Sequence, residues 1–104
     1  MSESERKDEL LSLFSAVDES ERNIVDRLID ELIFLENRMQ ELKKLPFVSV
    51  HPAHPALQKV TAAAKIYKEC SQSYMNGIRI LLSVLRNAGS SAEEDLLRKL
   101  EEFS

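Results

Sequence analysis

Little in this chain can carry covalent chemistry. Its 104 residues include two glycines, three prolines, one cysteine, two histidines and no tryptophan. Two glycines cannot build a glycine-rich phosphate loop. A lone cysteine, Cys70, excludes an intrachain disulfide and any multi-cysteine metal site. It falls on a small-residue helix edge and reads as a packing residue, because no activating environment for a thiol is visible. His51 and His54 are three apart among prolines, with no cysteine or carboxylate nearby to complete a metal site, so they read as part of a polar turn. No serine stands in a nucleophile-elbow sequence. Carboxylates are abundant, but on helix faces, where solvation explains them. The expectation is a protein that is not an enzyme and has no cofactor, metal or small-molecule substrate.

Long apolar runs are missing too. No stretch of about 18 apolar residues exists, so no membrane span is expected. The first nine residues, Met-Ser-Glu-Ser-Glu-Arg-Lys-Asp-Glu, are charged and lack the apolar centre of a signal peptide. A cytoplasmic location is expected.

What is present is helical patterning. The chain is 43% hydrophobic and 31% charged, and its length suits one domain with a modest core. Val25, Leu28, Leu32, Leu35, Met39 and Leu42 recur at alternating steps of three and four. So do Leu57, Val60, Ala64, Tyr67, Ser71, Tyr74, Ile78, Leu81 and Leu85. Each set places one side of a long helix against a neighbour. Between them, Pro46, Pro52 and Pro55 forbid a continuous helix. The spacing predicts an all-α fold over residues 1–104: a long antiparallel helical hairpin with short flanking helices, assembled into an oligomeric bundle. The helices are expected at about 4–17, 20–45, 56–88 and 91–103, with an extended crossover at 46–55.

Local signals support these limits. Ser2 with Glu5, and Ser91 with Glu94, have capping-box spacing; Asp18 or Ser20 can start the second helix. Lys43 and Lys44 fall in that helix's last turn. Asn87 and Gly89 supply stop chemistry for the third. Ile24, Ile29 and Ile33 widen the first stripe, which suits a bundle. Ala56, Ala63, Cys70, Gly77 and Val84 form a small edge every seven residues, with Gly77 marking a close approach or a kink. Ile66 and Ile80 lie off the seam and add surface for subunit contacts. Buried tyrosines at 67 and 74 would need hydroxyl partners. Leu96, Leu97, Leu100 and Phe103 make the apolar face of a last helix too short to be stable alone.

Charge is unevenly spread. Residues 1–42 carry twelve acids and five bases, residues 43–86 seven bases and one acid, and residues 87–104 five acids and two bases. The middle segment's net +6 comes from Lys43, Lys44, Lys59, Lys65, Lys68, Arg79 and Arg86. Gln58, Lys65, Gln72, Arg79 and Arg86 recur every seven residues, at steps of roughly 10 Å along a helix. Such a face could follow phosphates. It could equally be solvated, or be neutralised within the fold by Asp26, Asp30, Glu31, Glu36 and Glu41.

The stretches LENRMQELKKLP, VHPAHPALQK and AAKIYKECSQSYMNGI, within about residues 28–86, resemble small helical proteins of Gram-positive phages and prophages grouped with small terminase subunits. The proline crossover followed by ALQKVTAAAKIYKE is the most specific part. The resemblance implies a non-enzymatic oligomeric packaging factor that binds double-stranded viral DNA and recruits a large terminase subunit in the bacterial host cytoplasm. The N-terminal DNA-reading domain usual in such proteins is not expected within residues 1–23, which are few and acidic. DNA contact would then fall to the seven basic residues of the middle segment, mostly through phosphate. The alternative is a helical protein–protein adaptor or regulatory module with no nucleic-acid role. Small secreted helical hairpins with a Trp-x-Gly turn match the length, but the chain has no tryptophan.

Overall fold

Among the described residues, four helices and one β-hairpin follow in order: α1 (Glu3–Ser12), α2 (Glu19–Leu42), β1 (Val48–His51), β2 (His54–Val60), α3 (Ala62–Asn87) and α4 (Glu93–Glu101). The computed structural model describes residues 2–51 and 53–101, without the side chains of 49–51 and 54–59. The long helical hairpin is α2 packed on α3, with α1 against α2 and α4 against α3. The molecule measures 60 × 26 × 21 Å and has a radius of gyration of 17.4 Å, against about 13 Å for a compact domain of this length.

The core follows the heptad stripes. Val25, Leu32, Leu35, Met39 and Leu42 of α2 are buried with Tyr74, Ile78, Leu81 and Leu85 of α3. Leu28 and Tyr67 are partly buried at its edge. Ile29 and Ile33 are buried too, but Ile24 is 58% exposed and does not widen the core. Leu10, Phe14 and Val17 seal one end, and Leu96 and Leu100 cover α3. Cys70 is buried as a packing residue. Gly77 marks close packing: a Cβ there would lie 2.8 Å from Leu32 Cδ2.

Helix limits differ from the expected ones for local reasons. Ser2 Oγ accepts from Glu5 N at 3.2 Å and caps α1. The helix stops at Ser12 rather than running to 17, because Leu13, Phe14 and Val17 bond to carbonyls three residues back and turn the chain. Asp18 takes the N-cap position of α2. That helix ends at Leu42, so Lys43 and Lys44 sit in the turn beyond it, shortly before Pro46. Gly89, at φ +69°, closes α3 in a Schellman motif, with Ser90 N bonded to Leu85 O and Gly89 N to Arg86 O. Ser90, not Ser91, bonds ahead of α4, accepting from Ala92 N at 3.1 Å. Phe103 lies outside the described residues.

The largest difference is the crossover. Val48–His51 and His54–Val60 form an antiparallel β-hairpin in which Val48 pairs with Val60, Ser49 with Lys59 and Val50 with Gln58. Residues 56–60, expected as the first turn of a helix, are strand, so Ala56 and Gln58 leave the helical stripes. Leu57 and Val60 leave the seam, and Val60 is 60% exposed. Thr61 explains the late start of α3. Its Oγ1 accepts from Ala64 N at 3.2 Å and donates to Pro46 O at 2.7 Å, while its N–H bonds to Phe47 O. One residue thus caps the helix and closes the neck of the hairpin. Phe47 then packs its ring on Tyr67, centroids 5.2 Å apart.

Candidate functional site

Two polar features organise the surface. The first is a buried knot. Glu36, only 5% exposed, lies on the side of α2 that faces α1. Arg6 of α1 donates to it from Nε at 2.8 Å and from Nη2 at 2.6 Å. Tyr74 of α3 donates its hydroxyl to the same carboxylate. Arg6 Nη1 also donates to the backbone carbonyl of Lys99 in α4, at 3.3 Å. All four helices therefore meet on one guanidinium and one carboxylate. The hydrogen bonds to Glu36 push the Arg6 pKa above its ordinary value. Burial, and then the bond to Glu36, hold the Tyr74 hydroxyl well above the usual tyrosine range.

Around the knot, α1 takes up the acids of α2. Lys7 Nζ lies 2.7 Å from Asp26 and 3.0 Å from Asp30, and its pKa is raised by those two bonds, Asp26 first. Asn37 donates to Glu3. Lys99 of α4 reaches Glu9 of α1 at 3.3 Å.

The second feature is the outer face of α3. Lys65, Lys68, Gln72, Arg79 and Arg86 are all exposed, on the side away from Tyr74, Leu81 and Leu85. Lys65, Lys68 and Arg79 have no ion pair among the described residues. Internal neutralisation by α2 does not occur at these three. Of the five acids expected to provide it, Asp26, Asp30 and Glu36 go to α1, and Glu41 pairs with Lys44 at 3.2 Å. Glu31 is exposed and pairs with none of the described cations. Ser71, Gln72, Met75, Asn76 and Arg79 line a shallow hollow of about 420 Å³ on this face. It sets hydroxyl and amide donors beside a guanidinium, the groups that contact phosphate oxygens.

The seven expected basic residues do not all converge. Lys65, Lys68, Arg79 and Arg86 share α3, and Arg86 is held by Glu93 at 3.4 Å. Lys43 and Lys44 lie beyond α2 at the crossover end, and Lys59 lies on β2 rather than on a helix. The heptad stripes do not reveal Arg6 and Glu36 as a pair, 30 residues apart in the chain. The signal for it was the spacing of Glu36, three beyond Ile33 and seven beyond Ile29, which places a carboxylate on an apolar side of α2.

Among the described residues, no group of three or more His, Cys, Asp or Glu is arranged to hold a metal ion. No described helix is long and apolar enough to cross a membrane. Comparison with protein-family models, curated proteins and solved structures finds no match to this chain.

Proposed function

We propose that this chain is a non-enzymatic helical protein that binds duplex DNA through its phosphate backbone along the outer face of α3. This is the role that the resemblance to small terminase subunits implies, with assembly of the genome-packaging complex as its setting. The observation that carries the reading is the division of charge. Asp26, Asp30 and Glu36 of α2 pair with α1, and Lys65, Lys68 and Arg79 are exposed with no ion pair among the described residues. With Arg86 they span 22 residues of one helix, about 32 Å from first to last. A rigid row of that length reaches several successive phosphates. Contacts of this kind position a protein on DNA and carry little sequence information.

Fluorescence anisotropy on a labelled duplex tests it. Four phosphate contacts predict a slope of about −3 to −4 for the logarithm of affinity against the logarithm of salt concentration. Combined reversal of Lys65, Lys68 and Arg79 to glutamate removes most of that slope and most of the binding at low salt. Absence of binding at low salt, or unchanged binding by the reversed protein, overturns the proposal.

A further inference from the structure

The row on α3 is not all cation. Lys68, Gln72, Asn76 and Arg79 lie about 120–160° round the helix from buried Tyr74, and within about 80° of one another. All four are exposed. Lys68 and Arg79 are eleven positions apart, about 17 Å along the axis, and the two amides stand between them. Lys65 and Arg86 extend the row at either end.

The amides have no structural task within the chain. Neither Gln72 nor Asn76 is hydrogen-bonded to another described residue. Asparagine is among the poorer residues for a helix interior, and Asn76 neither caps an end of α3 nor packs in its core. Beside them Met75 is 47% exposed. These three side chains line one hollow with Ser71 and Arg79, and no acid lines it. Glu69, the single acid of α3, stands outside.

Phosphate needs only donors and positive charge. A primary amide carries a donor and an acceptor side by side. That pair matches adenine in the major groove, where the N6 amino group donates and N7 accepts. An exposed apolar side chain next to it suits the methyl group of thymine. The major groove is about 12 Å wide and admits an α-helix. Cations before and after the reading residues grip the phosphates of its rim, and the groups between them face the base edges. The residues of α3 stand in that order.

We infer that α3 enters the major groove and reads A·T pairs there, with Gln72 and Asn76 each on an adenine and Met75 against a thymine methyl group. The amides are four residues apart, about 6 Å, so the two adenines lie within about two base-pair steps. Base reading rests on the binding of duplex DNA to α3 proposed above, and adds a sequence preference to it.

Selection from duplexes with a randomised centre, followed by anisotropy on the selected duplex and a scrambled one, tests the preference. The selected centre is expected to carry two adenines within two steps, and the scrambled duplex to bind about 10-fold more weakly or worse. Gln72→Ala with Asn76→Ala abolishes that ratio. Placing 7-deazaadenine, which lacks the N7 acceptor, at the selected positions weakens binding by the wild-type chain about 10-fold. Circular dichroism verifies that the variant keeps its helices. Binding to every duplex alike overturns base reading and leaves phosphate binding standing. So does a preference that survives the two alanines or the deazaadenine. Absence of binding to any duplex at low salt overturns both.

Discussion

Replacing Arg6 by methionine keeps the length of the side chain and removes both hydrogen bonds that it donates to Glu36. The carboxylate stays inside, its side chain 6% exposed, with the Tyr74 hydroxyl as its remaining donor. Arg6 itself is only 15% exposed, so solvent screens the pair weakly. Removing one partner of such a pair costs about 3–5 kcal/mol, against a total stability of about 5–15 kcal/mol for a chain this long. With a urea slope near 1.5 kcal/mol/M, a loss of about 3 kcal/mol lowers the unfolding midpoint by about 2 M. The triple change Arg6→Met, Glu36→Leu, Tyr74→Phe removes every polar member of the knot and regains most of that loss, because an apolar replacement leaves no charge stranded. Urea titration followed by circular dichroism reads both effects. A cost below about 1 kcal/mol for Arg6→Met, the range of an exposed ion pair, refutes the buried knot. So does a triple variant as unstable as the single one.

Three further outcomes follow from the packing. Gly77→Leu forces a side chain against Leu32, where even a Cβ is at 2.8 Å, and loses about 3 kcal/mol or more in a thermal melt, whereas an easy fit would show free space between α2 and α3. Gly89→Ala meets no neighbour within 4 Å, so its cost of about 1 kcal/mol comes from the left-handed backbone alone; an unchanged melting temperature contradicts the Schellman closure. Raised pKa values at Tyr74, Lys7 and Arg6 all have the same sign: the protonated form is favoured by folding. Their stabilisation is fully present below about pH 10, where these groups are also protonated when unfolded, and is lost as pH rises through the folded values. Stability in urea therefore stays level into mildly alkaline solution and falls beyond it. Tyr74→Phe reduces that fall, and an equal fall in both proteins would exclude Tyr74 as a source.

The helical hairpin was legible because its stripes repeat without a slip over 18 residues of α2, Val25 to Leu42, and 22 of α3, Ala64 to Leu85. Burial at Leu32, Met39, Ile78 and Leu85 follows directly from that spacing. The limit of α3 was not, because Leu57 and Val60 continue the three-four steps backwards into the crossover. Thr61 decided otherwise: a β-branched cap bonded to Pro46 and Ala64 fixes the helix start, and the residues before it pair with Val48–Val50. Periodicity alone cannot separate strand from helix over so short a run. Tyr74 needs a partner if buried, and that partner is Glu36, 38 positions away, which is itself held by Arg6 of α1. Such contacts depend on how α1 folds back, which the turn at 13–17 sets and no local pattern announces. The exposed row on α3 was legible as a periodic face. The lack of an ion pair at Lys65, Lys68 and Arg79 among the described residues was not, since that depends on Lys7 and Arg6 occupying Asp26, Asp30 and Glu36.

The most direct measurement is the solution mass by light scattering with and without a DNA duplex at low salt. A discrete oligomer that gains the mass of the duplex, and sheds it as salt rises, is the expected result for a phosphate-binding face on α3. A particle whose mass ignores DNA at the lowest salt contradicts it.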